Sequence, residues 1–344
     1  MIKLKKLIVD NYTVLTDKVS LSKPLRILNL ADLHIDDKDY STDLASSVLK
    51  LLEDYLENDN NIDVILVSGD VINGASLYQN SEVYRKLQYL TDTLSKKAPV
   101  ILSLGNHDLV TLGSFLKACF KIKEKDLPEE VKKARLMFKS LGDKDNVYPL
   151  DNEEVEVNGI VYTGITQTLP SMTEINYGKH CNRLFVEDFE QAKIKFDHNK
   201  INIVAGHAPD QISSAYVRRE LDFSDVLAIF TGHLHDGYLS NDFVQKYKSL
   251  IKSYGIWETP TTAFVNKMCR GAFIIDKEFK SPAYIPDELY NAIVEMLGEE
   301  HQKSTALFVN RGFIQGIRNP KFNSILLKAV IKNPPSEKSF GCQR

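Results

Sequence analysis

Residues 26–34 read RILNLADLH. The apolar run Arg26–Leu30 gives way at once to Ala31-Asp32-Leu33-His34. The run is apolar throughout rather than alternating, which suits a strand buried on both faces. Asp32 and His34 stand at alternate positions, so an extended segment sends both side chains out on one side. The same design returns four times. Val64–Val67 ends in Ser68-Gly69-Asp70, and Val100–Leu104 ends in Gly105-Asn106-His107-Asp108. Ile201–Ala205 ends in Gly206-His207-Ala208-Pro209, and Leu227–Phe230 ends in Thr231-Gly232-His233-Leu234-His235. Five of the eight histidines fall in these clusters. Sites in open α/β sheets form where the carboxyl ends of strands meet. If the five strands lie side by side, their ends converge on one point.

The intervals suit that arrangement. Asp32 and Asp70 are 38 positions apart, and Asp70 and Asn106 are 36 apart. Each interval holds one strand–helix–strand unit of about 30 residues or more. Ser41–Leu56, Ser81–Ser95, 112–124, 128–141 and Asp188–Phe196 carry helical patterns, and the alternation argues for α/β layers. Glu153–Thr163 reads as a hairpin on Asn158-Gly159 with a type I′ turn. Leu4–Leu15 and 306–332 also read as β-rich, so the sheets should be mixed. Residues 282–300 hold a further helical pattern, with Pro286 near its start and Asp287 and Glu288 in its first turn.

Composition narrows the class. The chain has 344 residues, 43% apolar and 26% charged, with a net charge of −3. That balance excludes disorder and a disulfide scaffold, and gives no global pull toward nucleic acid. The charge is uneven: residues 301–344 carry eight Lys/Arg and one acidic residue. Their strand-like pattern favours ordinary solvated strands over a nucleic-acid patch. Cys119, Cys181, Cys269 and Cys342 show no paired spacing and read as free thiols in a reducing compartment. The start, MIKLKKLIVD, is too short in apolar residues for a signal peptide, and no run approaches a membrane span. The expectation is a soluble, cytoplasmic protein. The tail at about 333–344 reads as a frayed end.

The ligand types carry the chemistry. Glycine precedes Asp70, Asn106, His207 and His233, where it permits a sharp turn and close approach to an ion. Carboxylates, imidazoles and one amide, without thiolate, suit Mn²⁺ first, or Fe or Zn²⁺, over Ca²⁺. Two ions about 3.5–4 Å apart on a shared carboxylate give the arrangement for in-line displacement at phosphorus.

Together, Asp32-x-His34, Gly69-Asp70, Gly105-Asn106-His107-Asp108, Gly206-His207 and Gly232-His233-x-His235 resemble the calcineurin-like metallophosphoesterases. The stretch Ala306–Gly312, ALFVNRG, resembles the returning strand of their bacterial phosphohydrolase branch. The resemblance implies a four-layer αββα sandwich with mixed sheets. It implies that Asp32, His34 and His235 hold one metal, that Asn106, His207 and His233 hold the other, and that Asp70 bridges them. It implies hydrolysis of a phosphomonoester or phosphodiester by a metal-bridging hydroxide, with His107 assisting the leaving group. Asp108, next in sequence, is the companion catalytic candidate, orienting that imidazole or a neighbouring ligand. The loop Asn176–Arg183 offers His180 and Arg183 as substrate-binding candidates, with Lys179 beside them.

The chain reads as one domain over 1–344, with an insertion at about 238–300. A small or medium phosphorylated substrate is the first expectation. A repair-type nuclease is the alternative, weakened because the insertion is slightly acidic. A non-catalytic scaffold is disfavoured, since no ligand is missing. Val71-Ile72-Asn73-Gly74 and Asp108 depart from the protein serine/threonine phosphatase pattern.

Overall fold

The structure is a computed structural model. It describes residues 7–15, 24–35, 50, 52–58, 61–74, 78–109, 129–166, 192, 194–208, 212, 222–232, 271–275, 283–285, 305–309 and 324–332. Its strands are β1 (Leu7–Leu15), β2 (Leu25–Leu30), β3 (Val64–Ser68), β4 (Val100–Ser103), β5 (Val147–Leu150), β6 (Glu153–Val157), β7 (Ile160–Gly164), β8 (Ile201–Ala205) and β9 (Val226–Thr231). They continue with β10 (Gly271–Ile275), β11 (Ala283–Ile285), β12 (Thr305–Val309) and β13 (Ser324–Lys332). The five apolar runs are thus β2, β3, β4, β8 and β9, as the absence of alternation predicts.

They do not share one sheet. The first sheet runs β1-β13-β2-β3-β4-β5 and the second β11-β10-β12-β9-β8-β7-β6. Strands β2 to β5 are parallel, and β13 is antiparallel to β2. In the second sheet β12, β9, β8 and β7 are parallel, with antiparallel β6 and β10 at their flanks. The sheets are mixed, as expected. They lie face to face, β3 against β8 and β9, and β4 against β7 and β8.

Helices cover the outer face of the first sheet. Helix α1 (Ser81–Ser95) starts where Asn80 Oδ1 accepts from the amides of Glu82 (2.9 Å) and Val83 (3.3 Å). Such a cap contributes about 1 kcal/mol. Val83, Leu87, Leu90 and Leu94 recur at helical spacing and are buried. They pack with Leu28, Leu30, Ile65, Val67 and Leu102, and with Val131, Ala134 and Phe138 of α2 (Glu129–Lys139). Leu52 and Leu56, from the helical segment 52–58, join the same cluster. The alternate strand residues Ile27, Leu66 and Ile101 are equally buried and face the second sheet. There Phe230 stacks on Phe308 at 5.2 Å.

The hairpin stands as read. β6 and β7 pair antiparallel, and Asn158 (φ 54°) and Gly159 (φ 77°) occupy the left-handed region that a type I′ turn requires. Ala283–Ile285, just ahead of Pro286, is strand β11, paired antiparallel with β10. Both strands fall in the stretch read as an insertion, and they extend the second sheet. The candidate helix at 112–124 lies outside the described residues, as do residues 286–300 and the tail 333–344. Of the candidate helix Asp188–Phe196, the first part lies outside them too, and the described end, Ile194–Phe196, is not helical. Among the described residues no helix is long and apolar enough to cross a membrane.

Candidate metal centre

The ends of β2, β3 and β4 meet the end of β8 across the sandwich. Asp32, Asp70 and Asp108 are almost fully buried, and His207 is 1% exposed. Three residues at these strand ends bend backward: Asp32 (φ 55°), His34 (φ 46°) and Asp70 (φ 52°) all adopt left-handed backbone. A non-glycine residue there costs of order 1 kcal/mol or more and persists only where its surroundings enforce it. The enforcement is visible. The amide of Asp32 donates to Gly69 O (3.0 Å), that of His34 to Asp70 O (2.9 Å), and that of Ile35 to Val71 O (2.9 Å). The two loops therefore stay laced together beyond the strands, ending in a bridge between Ile35 and Ile72.

Two donor groups result, each with ligand atoms within 4.8 Å of one another: Asp32, Asp70 and His207, and His34, Asp70 and His107. Asp70 belongs to both. Its Oδ2 lies 3.0 Å from His207 Nε2 and 3.8 Å from His34 Nε2. Asp32 Oδ1 sits between the same imidazoles, 3.9 Å from His34 Nε2 and 4.0 Å from His207 Nε2. The resemblance groups Asp32 with His34 and His235; among the described residues His34 and His207 are the imidazoles beside it. His207 is aimed by its other nitrogen, Nδ1, 2.8 Å from Ser68 O. A carbonyl there fixes the tautomer that leaves Nε2 to face the carboxylates.

Glycines make the close approach. A Cβ on Gly69 would meet the His207 ring, 2.6 Å from Cγ, and one on Gly105 would overlap the Asp70 carboxylate. A Cβ on Gly232 would overlap that of Asp32, so the end of β9 also reaches the site. His233 and His235, which follow it, lie outside the described residues, as do His180 and Arg183.

Asn106, His107 and Asp108 form one helical turn, Asn106–Leu109, after β4. Asn106 is 8% exposed at its start. The His107 amide donates to Asp70 Oδ1 at 2.8 Å, and its ring meets that of His34 edge-on at 4.8 Å. Asp108 Oδ1 accepts from the Ile72 amide (3.0 Å) and Oδ2 from the Gly105 amide (2.9 Å). Its oxygens thus engage backbone amides in the loops that carry Asp70 and Asn106. Tyr78 was not singled out from the sequence: its phenol is buried, and burial, with the charge of Asp108, holds its pKa well above the usual value. An aromatic in a helix-side core carries no sequence signal of a site neighbour.

The electrostatics suit a cation. Burial alone would raise the Asp70 carboxyl, but His207 foremost, with His34 and His107, holds it well below the carboxylate range. Burial would lower the His207 imidazolium; Asp70, Asp32 and Ser68 O instead push it up to about 10. Burial and the charge of Asp70 push Asp108 up to about 7. Two carboxylates and imidazoles closed off from water call for positive charge among them. A proton on His207 supplies it in the metal-free chain, and a divalent ion would supply more. The donor set and the glycine-made clearance fit such an ion.

The sequence profile described as calcineurin-like phosphoesterase matches residues 25–237. The chain belongs to that family. The matched span runs from β2 past the end of β9 and holds every candidate ligand. A nuclease from Pseudomonas putida is 12% identical with a TM-score of 0.29, covering 76% of this chain and 74% of its own. A 5'-nucleotidase precursor from Thermus thermophilus is 16% identical with a TM-score of 0.31, covering 63% and 43%. A dimetal phosphatase from Danio rerio is 13% identical with a TM-score of 0.32, covering 62% and 82%. Among curated proteins none matches the sequence. Calcineurin-like phosphoesterases are metal-dependent hydrolases, and the Asp/His groups of this one could bind metal.

Proposed function

We propose that this calcineurin-like phosphoesterase uses two divalent ions, Mn²⁺ foremost, to hydrolyse a small or medium phosphomonoester or phosphodiester. The observation that carries this reading is the Asp70 carboxylate shared by two donor groups. Asp32, His34, Asp70 and His207, with Asn106, His233 and His235, would hold the ions. When bound, the ions supply the charge that acidifies water and neutralises phosphate oxygens.

The chain's own residues do the rest. Asp70 keeps its charge through the surrounding imidazoles, so it serves as a ligand at any working pH. Gly69, Gly105 and Gly232 leave clearance for the buried ligands. His107 is partly exposed, beside the donor groups, with its backbone tied to Asp70. From there its imidazole can hold a proton for the departing oxygen, which is worth about 10²–10⁴ in rate for general acids. Lys179, His180 and Arg183 remain candidates for meeting the phosphate.

The test is a substrate panel with Mn²⁺, Fe²⁺ and Zn²⁺ in turn. It compares p-nitrophenyl phosphate, bis-p-nitrophenyl phosphate, cyclic nucleotides and linear DNA. Metal-dependent release from at least one small ester is expected. Cleavage of DNA alone would favour the nuclease reading, and no hydrolysis of any substrate would remove the proposal.

A further inference from the structure

We propose that Asp108 is a positioning residue, whose two carboxylate oxygens splice the loop bearing Asp70 to the loop bearing Asn106 and His107. This rests on the phosphoesterase reading for its effect on turnover, but not for its geometry. The β3–β4 ladder ends at Ser68 opposite Ser103. Beyond that pair the ladder no longer pairs the two chains, though Gly105 still lies against the Asp70 backbone. Asp108 ties the two loops, with one oxygen on Ile72 N and the other on Gly105 N. Ile72 lies two residues after Asp70, and Gly105 directly precedes Asn106. The second tie between the loops, His107 N to Asp70 Oδ1, uses a carboxylate already placed in both donor groups. Asp108 adds the tie that draws on no proposed ligand.

The residue type follows from the task. Two converging N–H donors need a short side chain with two acceptors, and only aspartate has that; asparagine would oppose one N–H with its own NH₂. Asp108 is 0% exposed, which keeps it from touching substrate. Because the β3 loop is laced to the β2 loop through Gly69, Asp70 and Val71 carbonyls, Asp108 completes one continuous frame under Asp32, His34, Asp70 and Asn106.

The test is a cycle of Asp108→Asn, His107→Ala and the double variant, at saturating Mn²⁺ on a phosphodiester. Asp108→Asn should lower kcat about 10–100-fold, as loss of a ligand-supporting contact does. KM should stay within about threefold, and the pH–rate profile should keep its shape. In the His107→Ala background the same change should lower kcat further but by less than in the wild type, because the shared loop couples the two residues while Asp70 and Asn106 still lose their tie. Fully multiplying losses, a vanished limb of the pH profile, or unchanged turnover would each overturn the positioning role. Amide exchange on the wild-type protein needs no variant: the Ile72 and Gly105 amides should exchange as slowly as those of β3 and β4. Fast exchange at both overturns the clamp. If the wild type hydrolyses no ester, the phosphoesterase reading falls by itself. Metal affinity by calorimetry then decides for Asp108, with weakening of tenfold or more in Asp108→Asn supporting it and unchanged affinity refuting it.

Discussion

Asp70 concentrates the chemistry of the site in one side chain. Its Oδ2 is 3.0 Å from His207 Nε2, and its Oδ1 accepts the His107 amide. Asp70→Asn keeps the shape but halves the acceptors and removes the charge. It should weaken uptake of both ions, by more than the roughly tenfold that a supporting contact is worth; calorimetric titration still showing two tight sites would contradict the shared role. His107→Ala should retain both ions yet lose about 10²–10⁴ in kcat on an ester with a poor leaving group, and less on p-nitrophenyl phosphate. Equal losses on both esters would point to His107 as a ligand instead. The His207–Asp70 pair also sets a pH dependence in the metal-free protein. Because folding raises the His207 value to about 10, its contribution is full below the ordinary imidazole value of about 6.5. It is then lost as pH rises through the folded value. Asp70 has the opposite edge: its low folded value adds stability that disappears as pH falls below the carboxylate range. Melting of chelated protein should therefore fall from about pH 7 toward pH 10. Saturating divalent metal should remove that fall, since the ion replaces the proton. A flat chelated profile would argue against the buried ion pair.

At the scale of elements, the loops after β2, β3 and β4 matter more than the strands. Glycine appears in two different capacities. Gly159 (φ 77°) serves only its turn, with open space where a Cβ would go. Gly159→Ala should cost about 1 kcal/mol of stability through backbone strain and leave metal binding unchanged. Gly105→Ala would drive a methyl into Asp70 and should lose metal binding outright, whatever its effect on melting. Paired urea melts and metal titrations separate the two; equal metal affinity in both variants would show that clearance at Gly105 is unimportant. The strand pattern was legible because an unbroken apolar run needs only local reading. The left-handed backbone at Asp32, His34 and Asp70 was not, since none of these residue types demands it. At Asp32 and His34 it is held by carbonyls of the β3 loop, which accept their amide hydrogens.

At the scale of the molecule, the site joins two sheets. Candidate ligands after β2, β3 and β4 face His207 after β8, so closing the sandwich and building the candidate site are one event. A metal bound at 100 times its Kd should add about 2.7 kcal/mol to stability. For a chain of this size that amounts to several degrees of melting temperature. A melting temperature indifferent to Mn²⁺, Fe²⁺ and Zn²⁺ would deny a site built across the interface. The chain ends belong to the same architecture: β1 and β13 pair within the first sheet, and β12 enters the second beside β9. The basic segment after residue 300 thus supplies strands to both sheets.

Each candidate donor cluster, its place after an apolar run and the family itself follow from the sequence alone, because runs of apolar residues and the donors after them are local features. Tertiary structure decided how they combine. The five strands, readable as one side-by-side set, divide between two sheets, since pairing depends on non-local burial that no window of residues contains. Asp32 falls between His34 and His207, because both sheets deliver histidines to it. Asp108 proves to hold backbone, because its partners Ile72 and Gly105 become neighbours only when β3 and β4 pair.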